Sequence, residues 1–369
     1  MNAFTKEDLK RFQSEPLDEK IQRSLAKIGE WYIRQQRQCY VSFSGGKDST
    51  VLADLCAKWC ELINEPLYLV FVNTGLEYPE IQKHVKFFAQ WLRDKYEIEV
   101  NLEILRPEMR FDEVIKKYGY PIIGKEVAES VSQARKALAR NDGTYTYRLK
   151  KMRGELLDKN GNPSQFNQQK YEQMMYTDFE ASATCCNVMK KKPVKQYEKQ
   201  TGKKPILATM TCESRLREQS WLKNGCNAFD AKRQTSQPMS FWTEQDVLEY
   251  IKKYEIPIAS VYGSVEYAED PEQMRLEDYG IDCGTDKLKT TGCSRTGCIF
   301  CGFGCHLEKP GEGRFERLKE THPRQYEYCI GGGEYDETGK WIPNKEGLGL
   351  GHVFDELNKI YGDDFIKYK

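Results

Sequence analysis

Residues 41–50 read Val-Ser-Phe-Ser-Gly-Gly-Lys-Asp-Ser-Thr and connect an apolar run to a helix start. Residues 38–43 alternate as in a short strand, and residues 48–63 carry apolar positions at helical spacing behind acidic and hydroxyl residues. Glycines let backbone N–H groups approach an anion, and a helix N-terminus adds its positive dipole end. With the charge of Lys47, this strand, turn and helix predict a phosphate cradle. An ordinary tight turn is the alternative interpretation.

Composition limits the classes of protein to be considered. The 369 residues suffice for one large or two moderate domains, and 56 basic residues balance 56 acidic ones, so no global charge favours nucleic acid. The N-terminus lacks an apolar signal core and no run approaches a membrane span, which predicts a cytoplasmic protein without a membrane partner. Thirteen cysteines in such a protein indicate metal or redox chemistry rather than disulfides.

Further strand and helix patterns predict an α/β fold with a doubly wound parallel sheet. Residues 67–72 form a near-continuous apolar strand, and a second loop follows at Asn73. A strand at 98–105 and a helix at 111–118 complete a third βα unit. Residues 6–36 have a helical pattern and predict an N-terminal cap.

We expect three parts: an N-terminal helical segment at 1–36, a nucleotide-binding α/β domain at 37–260, and a cysteine-rich region at 261–369. The α/β domain contains a polar insertion at about 140–180. Basic and aromatic residues around it would suit a polyanion, and a solvated helical face explains the same residues. They are Arg135, Lys136, Arg140, Arg148, Lys150, Lys151, Arg153, Tyr145, Tyr147 and Tyr171. Residues 262–290 resemble an irregular acidic insertion.

Two groups of cysteines have ligand-like spacing. Cys185 and Cys186 are adjacent, and adjacent cysteines rarely bridge each other. The second group places four thiols within thirteen residues: Cys293, Cys298, Cys301 and Cys305. This local set could bind Zn²⁺ by itself, and buried cysteines without a metal are a further alternative.

A third polar segment follows a strand predicted at 205–210. It contains Glu213, Ser214, Arg215 and Arg217. Arginines after a strand can hold phosphate or sulfate by bidentate contacts, and structural salt bridges are the alternative. Downstream, Thr243 and Asp246 predict a helix start with a capping box.

These motifs, in this order, resemble one family. They are Ser-Gly-Gly-Lys-Asp-Ser, Asn-Thr-Gly-Leu-Glu-Tyr-Pro-Glu, a Cys-Cys pair before lysines and proline, Glu-Ser-Arg-x-Arg, Trp-Thr-x-x-Asp-Val, and Gly-Cys-x-x-Cys. Together they are similar to the phosphoadenosine phosphosulfate reductase family of the adenine nucleotide α-hydrolase fold, whose ATP pyrophosphatases use a PP-loop. The resemblance runs from about Cys39 to Cys305, and the segment 293–301 is also similar to DNA-phosphorothioation ATP pyrophosphatases.

The resemblance implies cofactors and partners. Iron–sulfur members hold a 4Fe-4S cluster, here on Cys185, Cys186, Cys298 and Cys301, with Cys293 and Cys305 as alternative ligands and Zn²⁺ as the alternative metal. The intact PP-loop implies ATP with Mg²⁺ as substrate, or otherwise an adenylyl sulfate. A nucleic-acid acceptor and a sulfur donor protein such as a cysteine desulfurase are the implied partners.

One departure separates the branches of this family. Sulfonucleotide reductases use a C-terminal Cys-Gly-Ile/Leu-His nucleophile, which this chain does not contain. We therefore expect an adenylating iron–sulfur ATP pyrophosphatase in sulfur transfer. The alternatives are a sulfonucleotide reductase with its nucleophile moved to Cys305 or Cys329, and a nucleotide-sensing module with a structural cluster.

The expected site combines catalytic and nucleotide-binding residues. The catalytic candidates are Lys47, Asp48, Arg215 and Arg217. The nucleotide-binding candidates are Ser42, Ser44, Gly45, Gly46, Lys47, Asp48, Ser49, Thr50, Asn73, Thr74, Gly75, Glu77, Glu213, Ser214 and Arg215. We expect the loops after three strands to face one crevice, with the cysteine group at its rim. We also expect Lys47 to lie on an exposed loop, so that its loss would hardly change stability.

Overall fold

The computed structural model describes residues 3–140, 146–268, 287–309 and 311–369. Its strands are β1 Cys39–Ser42, β2 Leu67–Val72, β3 Val100–Leu105, β4 Ile122–Ile123, β5 Lys204–Ile206, β6 Asn227–Ala228, β7 Thr235–Ser236, β8 Val265–Tyr267, β9 Leu288–Thr290, β10 Gly302–Phe303, β11 Glu334–Tyr335 and β12 Trp341–Ile342. Its α-helices are α1 Lys6–Gln13, α2 Leu17–Arg34, α3 Lys47–Ile63, α4 Pro79–Tyr96, α5 Phe111–Tyr118, α6 Lys125–Arg140, α7 Tyr147–Met152, α8 Lys192–Thr201, α9 Arg215–Asn224, α10 Glu244–Lys253, α11 Arg314–Thr321, α12 Pro323–Ile330 and α13 Leu350–Tyr361.

The chain divides into two compact units, and segments of the two units alternate along the sequence. The first unit comprises residues 1–73, 77–105 and 194–296, and the second comprises 74–76, 106–193 and 297–369. The predicted boundaries at residues 36 and 260 mark changes in sequence pattern rather than compact units, and they stay a prediction.

The first unit is built on a six-stranded sheet in the order β3-β2-β1-β5-β7-β6. All neighbouring strands are parallel except the antiparallel pair of β6 and β7. The apolar residues of β2 are mostly buried, as a parallel sheet covered on both faces requires. The chain leaves β1 toward β2 on one side and returns as β5 on the other, so the β1–β5 pair is the switch point of the sheet. This confirms the predicted α/β class with a parallel sheet.

A buried carboxylate connects three helices of the first unit. Asp54 of α3 is fully buried and accepts hydrogen bonds from the hydroxyls of Tyr96 on α4, at 2.7 Å, and Tyr250 on α10, at 2.6 Å. Lys95 and Lys58 form ion pairs with the same carboxylate, at 3.1 Å and 3.4 Å. A buried charge needs such partners, and these partners fix how the helices pack around α3.

The second unit contains small paired strands among helices. β4 pairs in parallel with β10, and β11 pairs antiparallel with β12. Helices α6 and α7 pack together, and buried Phe315 of α11 contacts Phe354 of α13, with their ring centroids 4.9 Å apart.

Several predicted elements are confirmed, and three strands are shorter than predicted. Those predicted at 38–43 and 98–105 cover only Cys39–Ser42 and Val100–Leu105. The strand at 67–72 and the helix at 111–118 match β2 and α5, and the capping box of Thr243 and Asp246 begins α10. The strand predicted at 205–210 ends at Ile206, since the next residues turn toward a cavity. β8 and β9 pair antiparallel, so the predicted insertion leaves and re-enters at one point, with its central residues outside the described ranges.

None of the helices in the described ranges combines the length and apolar character that crossing a bilayer requires.

Candidate nucleotide site and cysteine cluster

The loop between β1 and α3 is held in shape by its own hydroxyl groups. The Ser49 hydroxyl donates to the Gly46 carbonyl at 2.9 Å and lies 3.0 Å from the Ser44 hydroxyl oxygen. Gly45 has a φ of +73°, and a Cβ there would lie within 2.8–2.9 Å of the side chains of Val85 and Ile81. Glycine is therefore required at this position for both its backbone conformation and its lack of a side chain.

This loop lines a cavity of about 280 Å³ at the switch point of the sheet, which we call the phosphate-loop cavity. The opposite wall follows β5 and includes Ala208 and Thr209. Its lining also includes Ser42, Ser44, Gly46, Lys47, Asp48, Ser49, Leu207, Glu213, Tyr262, Arg295 and Thr296. Ligands of open parallel sheets bind outside the carboxyl ends of strands where the strand order reverses. The cavity lies at that point.

Lys47 lies inside this cavity and is only 4% exposed, so the expectation of an exposed loop is wrong. Its Nζ donates to the Ser294 carbonyl at 3.1 Å and forms ion pairs with Glu244 at 3.0 Å and Asp48 at 3.4 Å. Burial lowers the pKa of Lys47, but Asp48 and Glu244 outweigh it and leave the pKa raised. The ammonium is therefore held charged next to the cavity.

The hydroxyl of Tyr262 accepts a hydrogen bond from one of the backbone N–H groups of the loop. The backbone N–H of Lys47 donates to the Tyr262 hydroxyl at 3.2 Å, and that hydroxyl lies 2.6 Å from the Thr296 hydroxyl oxygen. Tyr262 is 2% exposed, and the Lys47 charge lies 5.9 Å from its ring centroid. Its hydroxyl oxygen takes the place that an anionic oxygen would take on this N–H.

Two buried oxygen atoms beside the loop make no hydrogen bond to a described residue, although one of them, on Asp48, lies 3.4 Å from Lys47 Nζ in an ion pair. They are Oδ1 of Asp48 and Oγ1 of Thr209, which have no hydrogen-bond partner within the described part of the chain. Buried polar atoms are nearly always satisfied, so the Thr209 hydroxyl is open to a hydrogen bond from a ligand, whereas Asp48 Oδ1 is balanced by the Lys47 charge. Carboxylate oxygens are also a ligand type that Mg²⁺ prefers.

Of the two arginines after β5, Arg217 is held by Glu213 and Arg215 is not. The Glu213 carboxylate forms ion pairs with Arg217 and, at 3.0 Å, with Arg295. Glu213 and Arg295 line the cavity, whereas Arg217 does not, and the Ser214 hydroxyl caps α9 by accepting the Arg217 N–H at 3.4 Å. Burial and the neighbouring Arg295 lower the pKa of Arg217. Arg215 is exposed at the start of α9.

The second predicted loop is divided between the units. Asn73 and Glu77 belong to the first unit, where the Asn73 N–H donates to Leu105 O at 2.8 Å, while Thr74 and Gly75 belong to the second. Neither Asn73 nor Glu77 lines the phosphate-loop cavity. Thr50 also lies outside the lining, with its hydroxyl oxygen 3.2 Å from His84 Nε2.

The four cysteines assigned to a cluster all lie in the second unit. The segment at residues 120–123 joins their two sequence regions: Tyr120 exchanges backbone hydrogen bonds with residues 180 and 182 at 2.7 Å and 2.9 Å. On its other side β4 pairs with β10, which begins directly after Cys301, and Gly304 N donates to Ile123 O at 2.8 Å. The backbone thus brings the two cysteine segments to opposite sides of one strand.

The thiols influence each other's ionisation. A hydrogen bond between Cys185 and Cys186 raises the pKa of Cys185, which the nearby Cys301 and Cys298 raise further. The same hydrogen bond, with Lys125, Lys190 and Lys191, lowers the pKa of Cys186 to about 6. Among the described residues, no three His, Cys, Asp or Glu side chains are arranged to hold a metal ion. The cluster ligands therefore stay a prediction, as does their place at the rim of the crevice.

The alternative cysteines have other environments. Cys293 belongs to the first unit and is buried, whereas Cys305 belongs to the second. The Cys305 thiol donates to Gly302 O at 3.0 Å, and burial raises its pKa to about 12. Cys329 is fully buried, which raises its pKa well above the usual value. Both thiols are therefore shielded from solvent.

Most of the predicted basic tract has internal partners. Arg135 donates to the carbonyls of Thr177 and Phe179 at 3.0 Å and 2.8 Å. Arg148 donates to the Ser130 hydroxyl at 3.0 Å, and Lys151 is buried against Glu126. These contacts favour a structural role for them. Tyr145 lies outside the described residues.

Several residues that line the cavity, and Glu244 beside Lys47, were not among the predicted site residues. Tyr262 and Thr296 come from distant segments, and Glu244 is the first residue of α10. Glu244 follows Thr243 in the Trp-Thr-x-x-Asp-Val motif, which signalled a helix start but not its position beside Lys47. Thr209 follows a strand, the one signal that could have identified it.

The chain belongs to the phosphoadenosine phosphosulfate reductase domain family. The family profile matches residues 38–142 and 145–302, which is more than half of the chain. It includes the phosphate loop, the Cys-Cys pair and Cys298-x-x-Cys301. The family and the cavity together define a nucleotide-binding PP-loop enzyme.

A solved structure of NMN synthetase from Francisella tularensis is similar at 15% identity and a TM-score of 0.31, covering 66% of this chain and 73% of that one. This similarity carries no argument about activity. No protein of curated function matches the chain.

Proposed function

We propose that this protein cleaves ATP to an adenylated intermediate and pyrophosphate, and that it carries a 4Fe-4S cluster used in sulfur transfer. The observation that carries the first part is Lys47, a buried lysine held charged within a glycine loop at the switch point of the sheet. An intact loop of this kind suits a substrate that has a pyrophosphate group.

The proposed reaction is a displacement at the α-phosphorus. A nucleophilic atom of the acceptor forms a bond to that phosphorus, the bond to the bridging oxygen breaks, and pyrophosphate leaves with the electron pair. Lys47 and the loop N–H groups stabilise the charge that develops on the leaving group. The Lys47 N–H becomes available when the Tyr262 hydroxyl yields it.

Asp48 has the second role in this proposal. Its buried Oδ1 lies 3.4 Å from Lys47 Nζ and receives no hydrogen bond from the described residues. It would hold the Mg²⁺ that enters with ATP. Arg295 extends from the cavity wall and would meet the acceptor or the α-phosphate, whereas Arg215 and Arg217 lie outside the cavity lining.

For the cluster, the donor chemistry fits. Iron–sulfur clusters are bound by cysteine thiolates, and the second unit contains four candidate thiols. Two of them, Cys185 and Cys186, are adjacent, and Cys298 and Cys301 are near enough to raise the pKa of Cys185. A cluster bound by Cys185, Cys186, Cys298 and Cys301 would supply iron that binds or reduces sulfur. The acceptor, whether nucleic acid or a small molecule, and a donor such as a cysteine desulfurase belong to the same proposal.

The buried positions of Cys305 and Cys329 argue against the reductase alternative, because its nucleophile must reach the substrate. A sensing module would bind nucleotide without turnover.

The test is pyrophosphate release from ATP by the anaerobically purified protein, compared with sulfite release from adenylyl sulfates. We expect pyrophosphate. Sulfite release would establish the reductase, and binding without either product would establish the sensing module. Iron and acid-labile sulfide near four of each per chain are expected for the cluster, and one zinc without sulfide would refute it.

A further inference from the structure

A second cavity of about 490 Å³ lies within the second unit, away from the phosphate loop in sequence. Its volume falls in the range of about 300–1,000 Å³ that is typical of small-molecule sites. We call it the basic cavity, because four cationic side chains line it against one carboxylate. The cations are Lys117, Arg135, Lys136 and Lys340, and the carboxylate is that of Glu180.

The positive charge of the basic cavity is only partly neutralised. Glu180 forms ion pairs with Lys340 at 3.0 Å and with Arg135 Nε at 3.4 Å, so one carboxylate serves two cations. Lys117 and Lys136 are exposed and have no carboxylate partner among the described residues. An excess of three positive charges in a concave site favours an anion, and lysine ammonium groups bind phosphate well.

Hydroxyl groups on the same wall add hydrogen-bond donors. Ser132, Ser182 and Thr184 all line the cavity. The Ser182 oxygen accepts the Thr184 N–H at 3.1 Å, which leaves its proton for another acceptor. The hydroxyls of Ser132 and Thr184 have no hydrogen-bond partner in the described part of the chain. Several donors converging on one space match a group with several acceptor oxygens, as phosphate has.

The remaining lining is apolar. Leu138 and Ala139 of α6, Met175 and the ring of Tyr118 complete the wall. A bare inorganic ion would leave this surface without a partner, whereas an organic phosphate would cover it.

We propose that the basic cavity binds a phosphate ester, with its phosphate on Lys117, Lys136 and the hydroxyls and its organic body against Leu138 and Met175. Thr184 directly precedes Cys185, so the ligand would lie beside a predicted cluster ligand. If the proposed function holds, this ligand is the sulfur acceptor; the binding itself does not depend on that function. The ester is either a small molecule or a unit of an oligonucleotide.

The test measures binding of phenyl phosphate to the full chain by titration calorimetry at low ionic strength. The double variant Lys117→Gln/Lys136→Gln removes the two cations without carboxylate partners, and affinity should fall at least about tenfold, since each charged hydrogen bond contributes strongly. The matched control is Lys116→Gln/Arg140→Gln, on the same two helices. It removes equal charge from exposed residues outside the lining and should leave the affinity nearly unchanged.

Two further variants locate the site. Ala139→Trp fills the cavity without changing its charge and should abolish binding, and Ala139 is exposed, so the fold should tolerate it. Lys47→Ala disables the phosphate-loop cavity and should leave phenyl phosphate binding intact. Because pyrophosphate release is assayed separately, failure of the proposed function and failure of this site give different results.

If the lining double variant and the control double variant lose affinity for phenyl phosphate equally, the effect is one of general surface charge and the proposal is overturned. The proposal is also overturned if phenyl phosphate does not bind, or if inorganic phosphate binds as tightly as the ester. A 5′-phosphorylated thymidine dinucleotide that binds more tightly than phenyl phosphate would identify an oligonucleotide as the source, and weaker binding would identify a small ester.

Discussion

Replacing Lys47 by alanine tests the candidate site most directly. Its ammonium is the cation that we assign to the leaving pyrophosphate, held by Ser294 O at 3.1 Å and Glu244 at 3.0 Å. A preorganised donor of this kind typically contributes about 10²–10³-fold to kcat. We expect Lys47→Ala to lower the rate of pyrophosphate release by that factor.

The same substitution should also reduce stability, because the lysine is buried. It leaves the buried Oδ1 of Asp48 without a counter-ion, and an unsatisfied buried group costs about 1–3 kcal/mol. Ser294 is an exposed residue, so water replaces the hydrogen bond to its carbonyl. The Glu244 carboxyl is 52% exposed, so water replaces that ion pair at little cost. The expected loss in free energy of unfolding is therefore about 1–3 kcal/mol.

Pyrophosphate release and urea denaturation measure the two effects separately. Lys58→Ala is the matched control, since Lys58 lies on the same helix and pairs with Asp54 at 3.4 Å, outside the cavity lining. We expect that variant to lose stability and keep its activity. Full activity in Lys47→Ala would refute the assignment of the phosphate site, and a rate loss of equal size in Lys58→Ala would show that instability alone explains it.

Three further predictions follow from individual side chains. Burial lowers the pKa of His84 from 6.5 to about 4, so as the pH falls the imidazole is protonated in the unfolded chain before it is protonated in the folded protein. Up to about 3 kcal/mol of the free energy of unfolding should therefore be lost between pH 6.5 and 4. His84→Gln should flatten that part of the denaturation profile. Cys186→Ser should eliminate bound iron, while Cys305→Ser should retain it, and the reverse result would support the local ligand set of Cys293, Cys298, Cys301 and Cys305. Tyr262→Phe, which loses two hydrogen bonds, should lower the free energy of unfolding by about 1–2 kcal/mol in urea, and unchanged stability would contradict those contacts.

The sequence predicts those parts of the fold whose signals are local. The apolar run at 67–72 is β2 to the residue, since strand length and burial on both faces leave little choice. The phosphate loop is equally well marked, because its two glycines, lysine and helix start lie within ten residues. The start of α10 is also predicted correctly, since Thr243 and Asp246 cap each other locally.

Features that depend on tertiary contacts could not be predicted from the sequence. Tyr262 meets Lys47 across 215 positions of the chain, and no spacing rule links them. Lys151 and Arg148 looked available for a polyanion, but Glu126 and Ser130 on a neighbouring helix bind them. Such partners depend on how the helices pack, and a local residue pattern does not predict that packing.

The alternation of the two units along the chain has a consequence for protein synthesis. The β1–β5 pair, where the phosphate-loop cavity lies, joins Cys39–Ser42 to Lys204–Ile206, and residues 106–193 of the other unit are made in between. On the ribosome, β1 and β2 can therefore pair early, whereas the phosphate-loop cavity stays incomplete until Tyr262 and Thr296 have emerged. No single cut in the chain releases either unit whole, and a nascent chain stopped before Thr296 should bind no ATP.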